Sequence, residues 1–126
     1  MPDALKILFV TPECAPWVKT GGLGDVSGAL PAALNALGHD ARVLLPAYPA
    51  LRPLLAQAAT SIDWPAEGPW PAARLALVDS GCGFPLWLLD CPELYDRAGS
   101  PYGDASARDF DDSARRFGFL SHVAAR

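Results

Sequence analysis

The chain has 126 residues, of which 51% are hydrophobic and 19% are charged. This composition is typical of one globular domain and excludes an intrinsically disordered chain. The net charge of −4 argues against broad nucleic-acid binding and against adhesion to an anionic membrane.

The amino-terminal part has the pattern of a strand, a helix and a second strand. Residues 5–10 are apolar and partly β-branched, which predicts a strand buried on both faces, as in parallel sheets. Residues 24–37 are predicted to form a helix that Gly38 ends in a left-handed cap, although Pro31 should kink it or mark a loosely wound first turn. Residues 40–45 then predict a second, parallel strand. The apolar side of the helix is expected to consist of Val26, Leu30, Ala33, Leu34 and Leu37.

A short helix and a hairpin are predicted in the middle of the chain. Residues 51–59 favour the short helix, and the prolines of residues 61–71 favour a loop. Residues 74–78 and 84–89 are apolar and flank the turn sequence Ser-Gly-Cys-Gly. This arrangement is typical of a β-hairpin.

A polar, aromatic loop and a final helix are predicted after the hairpin. The loop covers residues 93–103 and follows the carboxyl end of a strand, the edge at which open α/β sheets bind ligands. The helix covers residues 109–125, and it stops at Arg126 without a capping glycine or a following strand. Its expected apolar side is Phe110, Phe117, Leu120 and Val123.

The cysteines and the amino-terminal residues predict the cellular compartment of the protein. The three cysteines form no Cys-x-x-Cys pair, and their odd number favours a reduced, cytoplasmic environment. Asp3 stands where a signal peptide would be basic, and no apolar run approaches the roughly 18 residues that would span a bilayer. Abundant Ala, Arg and Pro with only two lysines is consistent with a GC-rich bacterial genome.

The most informative stretch is residues 19–26, Lys-Thr-Gly-Gly-Leu-Gly-Asp-Val, between the first strand and the helix. Glycines let a backbone approach a ligand, and a helix start offers N–H groups and a partial positive charge to an anion. Lys19 adds a mobile full charge at the mouth of the loop. The spacing is neither Gly-x-Gly-x-x-Gly nor a P-loop, since the lysine precedes the glycines. From the residues alone, a site for a phosphate-bearing sugar donor and a plain tight turn both stay open.

Each candidate residue also has a structural interpretation. Lys19 could be a solvated lysine, Asp25 a partner of the helix dipole and Tyr102 a half-buried loop aromatic. His39 and His122 are expected to be structural. Cys14 is also expected to be structural, because it lacks an apparent base partner. The acidic residues before the last helix are expected to compensate the helix dipole and not to bind a metal: Asp109, Asp111 and Asp112.

Two blocks of residues resemble the family of bacterial glycogen synthases and plant starch synthases. The first is residues 19–26 followed by Gly-Ala-Leu-Pro at residues 28–31, and the likeness continues through residues 38–46. The second is residues 94–102, Leu-Tyr-Asp-Arg-Ala-Gly-Ser-Pro-Tyr. The resemblance covers nearly the whole chain and is weakest between residues 51 and 85.

The resemblance implies a retaining glucosyltransferase that moves glucose from ADP-glucose to the non-reducing end of an α-1,4-glucan such as glycogen, without metal or cofactor. It also implies a GT-B fold, in which two Rossmann-like domains, each a parallel sheet with flanking helices, enclose the active site. By the family's motifs, Lys19 would contact the donor phosphates, with Gly21 and Gly22 beside them. Asp25 would face the active-site cleft as the catalytic candidate, and Tyr102 would lie toward the sugar. The residues themselves do not distinguish ADP-glucose from UDP-glucose.

The length of the chain separates it from the family, whose members run to several hundred residues. The resemblance implies that residues 1–126 are an incomplete amino-terminal Rossmann-like domain and that the carboxy-terminal nucleotide-binding domain is absent. The family's active-site histidine lies further along, and His122 does not match its setting. We therefore expect little or no activity from this chain alone.

Two alternatives stay open beside the enzyme fragment. One is a stand-alone, non-catalytic module that binds phosphate or sugar, and the other is an inactive truncation product. The uncapped end at Arg126 favours truncation over a self-contained module.

Overall fold

Five strands form one mixed sheet in the computed structural model, which describes residues 3–106 and 108–126. The strands are β1 (Lys6–Val10), β2 (Asp40–Pro46), β3 (Thr60–Trp64), β4 (Ala73–Asp79) and β5 (Pro85–Asp90). Their order across the sheet is β1-β2-β5-β4-β3; β1, β2 and β5 run parallel, whereas β4 is antiparallel to both of its neighbours. The helices are α1 (Gly22–Ala36), α2 (Arg52–Leu55), α3 (Pro92–Tyr95) and α4 (Ser113–Ala124). This confirms the predicted α/β class.

The predicted strand–helix–strand unit is confirmed. β1 pairs with β2 in parallel from Lys6 opposite Asp40 onward, with α1 between them in the chain. Gly38 has a φ of +96° and ends α1 as expected. The N–H groups of Gly38 and His39 donate to the carbonyls of Asn35 and Leu34, at 3.0 and 3.1 Å, which is the Schellman arrangement.

The hairpin is confirmed, but the loop predicted for residues 61–71 is partly wrong. β4 and β5 pair from Asp79 opposite Pro85, around the predicted turn. Thr60–Trp64 is a strand, because its backbone pairs with β4 at the edge of the sheet. Most of its side chains are exposed, so it lacks the apolar alternation that marks a half-buried strand in a sequence.

β1 is not buried on both faces, contrary to the prediction. Leu8 and Val10 are 45% and 42% exposed, while Ile7 and Phe9 are half-buried. The reason is that β1 lies at the edge of the sheet, and α4 covers only part of the face that carries Leu8. An apolar groove of about 360 Å³ is left there, lined by Leu8, Leu44, Ile62, Trp64, Leu75, Trp87 and the end of α4.

The apolar residues of α1 do not form its buried side, which corrects a second expectation. Val26 and Leu37 are 53% and 62% exposed, and Leu30 is also exposed. Small residues face the protein instead, and the buried positions of the helix are Gly24, Ser27 and Pro31. The helix continues through Pro31 to Ala36.

Close approach to the preceding turn explains why small residues face inward. A Cβ atom on Gly28 would lie 2.7 Å from the carbonyl oxygen of Ala15, and the Ser27 hydroxyl donates to Thr11 Oγ1 at 3.0 Å. The Ala15 N–H donates to the Gly24 carbonyl at 2.9 Å. The side of α1 that packs is therefore set by backbone proximity, which hydrophobic periodicity does not report.

We expect Gly28→Ala to lower the free energy of unfolding by about 1 to 2 kcal/mol, because overpacking against the Ala15 backbone outweighs the gain in helix propensity. Gly22→Ala is the matched control, since a Cβ there meets nothing within 4 Å. Urea unfolding of the two variants measures the difference. A Gly28→Ala chain as stable as the Gly22→Ala chain would contradict the close approach.

The final helix begins four residues later than predicted. α4 starts at Ser113, so Phe110 lies before it, and the buried residues of α4 are Arg116, Phe119, Leu120 and Val123. α2 and a 3-10 turn (Pro49–Leu51) occupy the place of the predicted short helix. Among the described residues, no helix combines the length and apolarity needed to span a bilayer.

Candidate functional site

A cleft of about 370 Å³ opens at the carboxyl ends of the three parallel strands β1, β2 and β5. Each strand leads into one wall, so that three chain segments distant in sequence meet there. The lining residues are Trp17, Val18, Lys19, Thr20, Tyr48, Pro49, Ala50 and the segment 97–101. This is the edge that the sequence predicted for ligand binding.

Lys19 lies at this cleft and is paired with Asp25, so the structure brings these two predicted residues together. The Lys19 Nζ is 3.1 Å from the Asp25 Oδ1, and both side chains are more than half exposed. Such an exposed pair contributes little to stability and opens at low cost. Lys19 can therefore leave Asp25 and bind an anion that carries more negative charge than a single carboxylate.

Gly21 and Gly22 form the start of α1 and follow the cleft residues Lys19 and Thr20 in the chain, but they do not line the cleft themselves. Gly21 is the N-cap residue and, having no side chain, offers no side-chain cap. A Cβ on either glycine would meet nothing within 4 Å, so both face open space. The first-turn N–H groups of Gly22 and Leu23 have no acceptor within the helix, which leaves them for an incoming anion.

Glu13 is a site residue that sequence reasoning missed. Its side chain is 2% exposed, and its Oε1 accepts the backbone N–H of Gly24 at 2.9 Å and that of Thr20 at 3.3 Å. Its Oε2 accepts the hydroxyl groups of Thr20 at 2.7 Å and Tyr102 at 2.5 Å. Burial acts to raise the pKa of Glu13, but the hydrogen bonds from Tyr102, Thr20 and Gly24 outweigh burial and lower this pKa. Glu13 is therefore a carboxylate that caps α1 in place of the N-cap side chain.

Tyr102 is half-buried beside the glycine loop and does not line the cleft. Its ring also packs against Phe117, with 5.9 Å between the centroids. Burial and the bond to Glu13 raise the Tyr102 pKa, so its hydroxyl stays protonated and can donate. The structure therefore joins Tyr102 to the loop through Glu13.

Arg97 is the second missed residue, although the sequence motif around it was noticed. It lines the cleft, and its two terminal nitrogens each lie 2.7 Å from an oxygen of Asp112. This bidentate pair raises the Arg97 pKa and lowers the Asp112 pKa. Asp112 was expected to compensate the dipole of α4, but its main contact is this ion pair with Arg97. The sequence did offer a signal for Arg97, because an arginine in a loop that follows a parallel strand lies at the edge of the sheet where ligands bind.

The structural interpretations of the two histidines and of Cys14 are confirmed, whereas Asp109 and Asp111 lie before α4, whose first turn holds no acidic residue. His39 Nδ1 accepts the Leu5 N–H at 3.1 Å, and His122 stacks on Trp70 at 5.3 Å. Cys14 is buried, and burial raises its pKa to about 11, which makes it a poor nucleophile. In residues 3–106 and 108–126, no three His, Cys, Asp or Glu side chains converge as metal ligands.

Comparison with known proteins decides the family. The family described as "Starch synthase catalytic domain" matches residues 6–126. The chain belongs to this family. Every element that forms the cleft lies inside the matched range, so the glycine loop, Glu13 and Arg97 are parts of a starch synthase catalytic domain.

Individual relatives agree with this membership. The chain is 61% identical over 125 residues to a glycogen synthase of Dechloromonas aromatica, covering 98% of this chain and 26% of that protein. It is 59% identical over 123 residues to a glycogen synthase of Paracidovorax citrulli, covering 97% and 24%. Among solved structures, the catalytic domain of starch synthase IV from Arabidopsis thaliana, bound to ADP and acarbose, superposes with a TM-score of 0.72 at 25% identity, over 97% of this chain and 24% of that one. The chain thus spans about a quarter of the length of these relatives.

Proposed function

We propose that this chain forms the donor-phosphate side of the active site of a glycogen synthase. The enzyme would transfer glucose from ADP-glucose to the non-reducing end of an α-1,4-glucan, with retention at the anomeric carbon. One observation carries the proposal: in a starch synthase catalytic domain, Lys19 lines a cleft at the carboxyl edge of the sheet, and α1 begins three residues after it at Gly22. The ADP and acarbose bound to the Arabidopsis protein support a nucleotide donor and a saccharide acceptor.

The chemistry explains why a cation and helix N–H groups belong there. The bond from the anomeric carbon to the diphosphate oxygen breaks, and its electron pair leaves with ADP. A new bond forms from the anomeric carbon to an acceptor hydroxyl on the same face, and the hydroxyl proton passes to the donor phosphate. Lys19 and the first turn of α1 would meet the charge that grows on ADP, so they stabilise the transition state more than the ground state.

The other predicted residues take supporting roles in this proposal. Gly21 and Gly22 leave room for the donor because their positions are open. Asp25, the catalytic candidate, would face the cleft and hold Lys19 while no donor is bound. Tyr102 lies on the sugar side and is held through Glu13.

The remainder of the relatives' length is proposed to supply the second, nucleotide-binding domain. Residues 1–126 would then be part of the amino-terminal domain and inactive alone. The free thiols of Cys14, Cys82 and Cys91 support a reducing, cytoplasmic setting, and the bacterial glycogen synthases among the relatives support a bacterial one.

A hybrid enzyme tests the proposal directly. In the hybrid enzyme, this chain replaces the segment that it matches in the Dechloromonas aromatica glycogen synthase, and the rest of that protein follows. We expect it to transfer labelled glucose from ADP-glucose to glycogen, and we expect the 126-residue chain alone to transfer none. The matched segment shares 61% identity, which favours correct packing against the rest of the enzyme.

Two controls make the result decisive. The parent glycogen synthase sets the full activity, and UDP-glucose replaces ADP-glucose to test the donor. A hybrid enzyme that unfolds at the parent's temperature yet transfers no glucose would overturn the proposal. Tight binding of ADP-glucose by the chain alone would support the stand-alone binding module instead.

A further inference from the structure

Glu13 joins two segments of the chain that are far apart in sequence. Thr20 and Gly24 lie in the glycine loop, and Tyr102 is 89 residues away from Glu13. A carboxylate has about four lone-pair positions, and these three residues supply four donors to Glu13. Its acceptor capacity is therefore filled.

An ion pair does not account for this buried charge. In the part of the chain that the structure describes, no Lys, Arg or His nitrogen lies within 4.0 Å of the Glu13 carboxylate. A buried carboxylate without a cation is costly unless donors satisfy it, and here neutral donors do so alone. Its negative charge also lies behind a loop proposed to receive an anion, where it adds no attraction. The role of the carboxylate is therefore to hold the groups that donate to it in fixed positions.

The geometry fixes the part of the loop that faces the cleft. Thr20 follows Lys19, and the Thr20 N–H and hydroxyl both donate to Glu13. The Gly24 N–H also donates to it, whereas the N–H groups of Gly22 and Leu23 in the first turn do not bond to Glu13 and have no acceptor within the helix. A Cβ on Gly24 would lie 3.1 Å from Glu13 Oε1 and 3.2 Å from Lys19 Cα, which shows how tightly the loop is seated.

We propose that Glu13 is a positioning residue that sets the Lys19–Gly24 loop and Tyr102 in one arrangement, and so couples the donor side of the site to the sugar side. This inference rests on the proposed function for its kinetic consequences. Glu13 does not touch the reacting atoms; it acts through Thr20, Gly24 and Tyr102. A change at Tyr102 should therefore alter the position of the glycine loop, and a change in the loop should alter the position of Tyr102.

Glu13→Gln in the hybrid enzyme is the first test, because it keeps the volume and one oxygen for the backbone N–H groups. The amide nitrogen that replaces Oε2 cannot accept the Thr20 and Tyr102 hydroxyls. We expect the KM for ADP-glucose to rise about tenfold while kcat changes less, since one to two charge-assisted bonds hold the loop. Glu67→Gln, an exposed glutamate paired with Arg126, is the matched control and should leave both constants unchanged.

Tyr102→Phe and the double variant test the coupling. Tyr102→Phe removes only the hydroxyl that donates to Glu13, and it should raise the KM for ADP-glucose as well as that for glycogen. The double variant should be no worse than the worse single variant, because both changes break one network. Additive effects of the two changes on the KM for ADP-glucose would overturn the inference. So would a Glu13→Gln enzyme whose KM for ADP-glucose equals that of Glu67→Gln, even if the melting temperature of Glu13→Gln is lower.

Amide hydrogen exchange separates this inference from the proposed function. In the 126-residue chain, Glu13→Gln should speed exchange at Thr20 and Gly24 at least several-fold, because a neutral amide oxygen accepts their N–H groups more weakly than a carboxylate does, and it should leave β2 unchanged. An inactive hybrid enzyme with this exchange pattern would refute the proposed function but not the positioning by Glu13. An active hybrid enzyme whose loop exchange is indifferent to Glu13→Gln would refute the positioning alone.

Discussion

Arg116→Ala is expected to lower the free energy of unfolding of this chain by about 3 to 5 kcal/mol, a loss typical of breaking a buried charged network. Arg116 is 1% exposed, and its guanidinium donates to the carbonyls of Leu94 and Pro101, both at 2.6 Å. Truncation to alanine leaves two buried carbonyl groups without a partner and opens a cavity.

The surroundings of Arg116 explain why another side chain does not replace it. Aromatic rings surround its charge: the guanidinium carbon is 4.4 Å from the Phe110 centroid, 5.3 Å from that of Phe117 and 5.8 Å from that of Tyr95. Burial lowers the Arg116 pKa, and the rings compensate for part of the lost hydration. A lysine has no planar fork for two diverging carbonyls, so Arg116→Lys should recover less than half of the lost stability.

Urea unfolding of the 126-residue chain measures this prediction. Arg115→Ala is the matched control, because Arg115 is the exposed neighbour and makes one bond to the Pro69 carbonyl at 2.7 Å. We expect the control to lose less than about 1 kcal/mol. Equal unfolding midpoints for the two variants would show that the Leu94–Pro101 segment does not depend on Arg116.

Local pattern was enough to predict the elements that position the cleft. The strand–helix–strand unit follows from short-range signals, the Gly38 cap among them, and the hairpin follows from its turn residues. Parallel pairing then requires the segments after β1, β2 and β5 to meet at one edge. The position of the cleft was therefore predictable, as was the presence of Lys19 in it.

The contacts within the site were not predictable, because they join residues that no periodicity relates. Glu13 meets Tyr102 across 89 residues, and Arg97 meets Asp112 across a loop. The inward side of α1 is decided by how closely Gly28 approaches Ala15, so exposed Val26 misled a prediction based on hydrophobicity. Each error arises where backbone proximity or a long-range polar bond outweighs apolar patterning.

Lys19→Ala in the hybrid enzyme is expected to lower kcat/KM for ADP-glucose about 100-fold, the size found for removing one charged or dipolar contact to a developing anion. Asp25 holds the Lys19 ammonium at the mouth of the cleft at 3.1 Å, and this exposed pair can exchange one carboxylate for a diphosphate. Steady-state transfer of labelled glucose at varied ADP-glucose measures the change. Lys19→Arg should recover part of it, since the charge remains but its position moves.

Lys6→Ala is the control that separates a local role from a loss of net charge. Lys6 is the other lysine of the chain and starts β1, so it lies at the end of the strand opposite to the cleft. Both variants remove one positive charge from an exposed side chain, and neither should shift the melting temperature measurably. If the two variants lowered kcat/KM equally, the effect would be a general one of charge, and Lys19 would have no special contact with the donor. A loss confined to Lys19→Ala, at unchanged stability, requires that the ammonium act on the diphosphate itself.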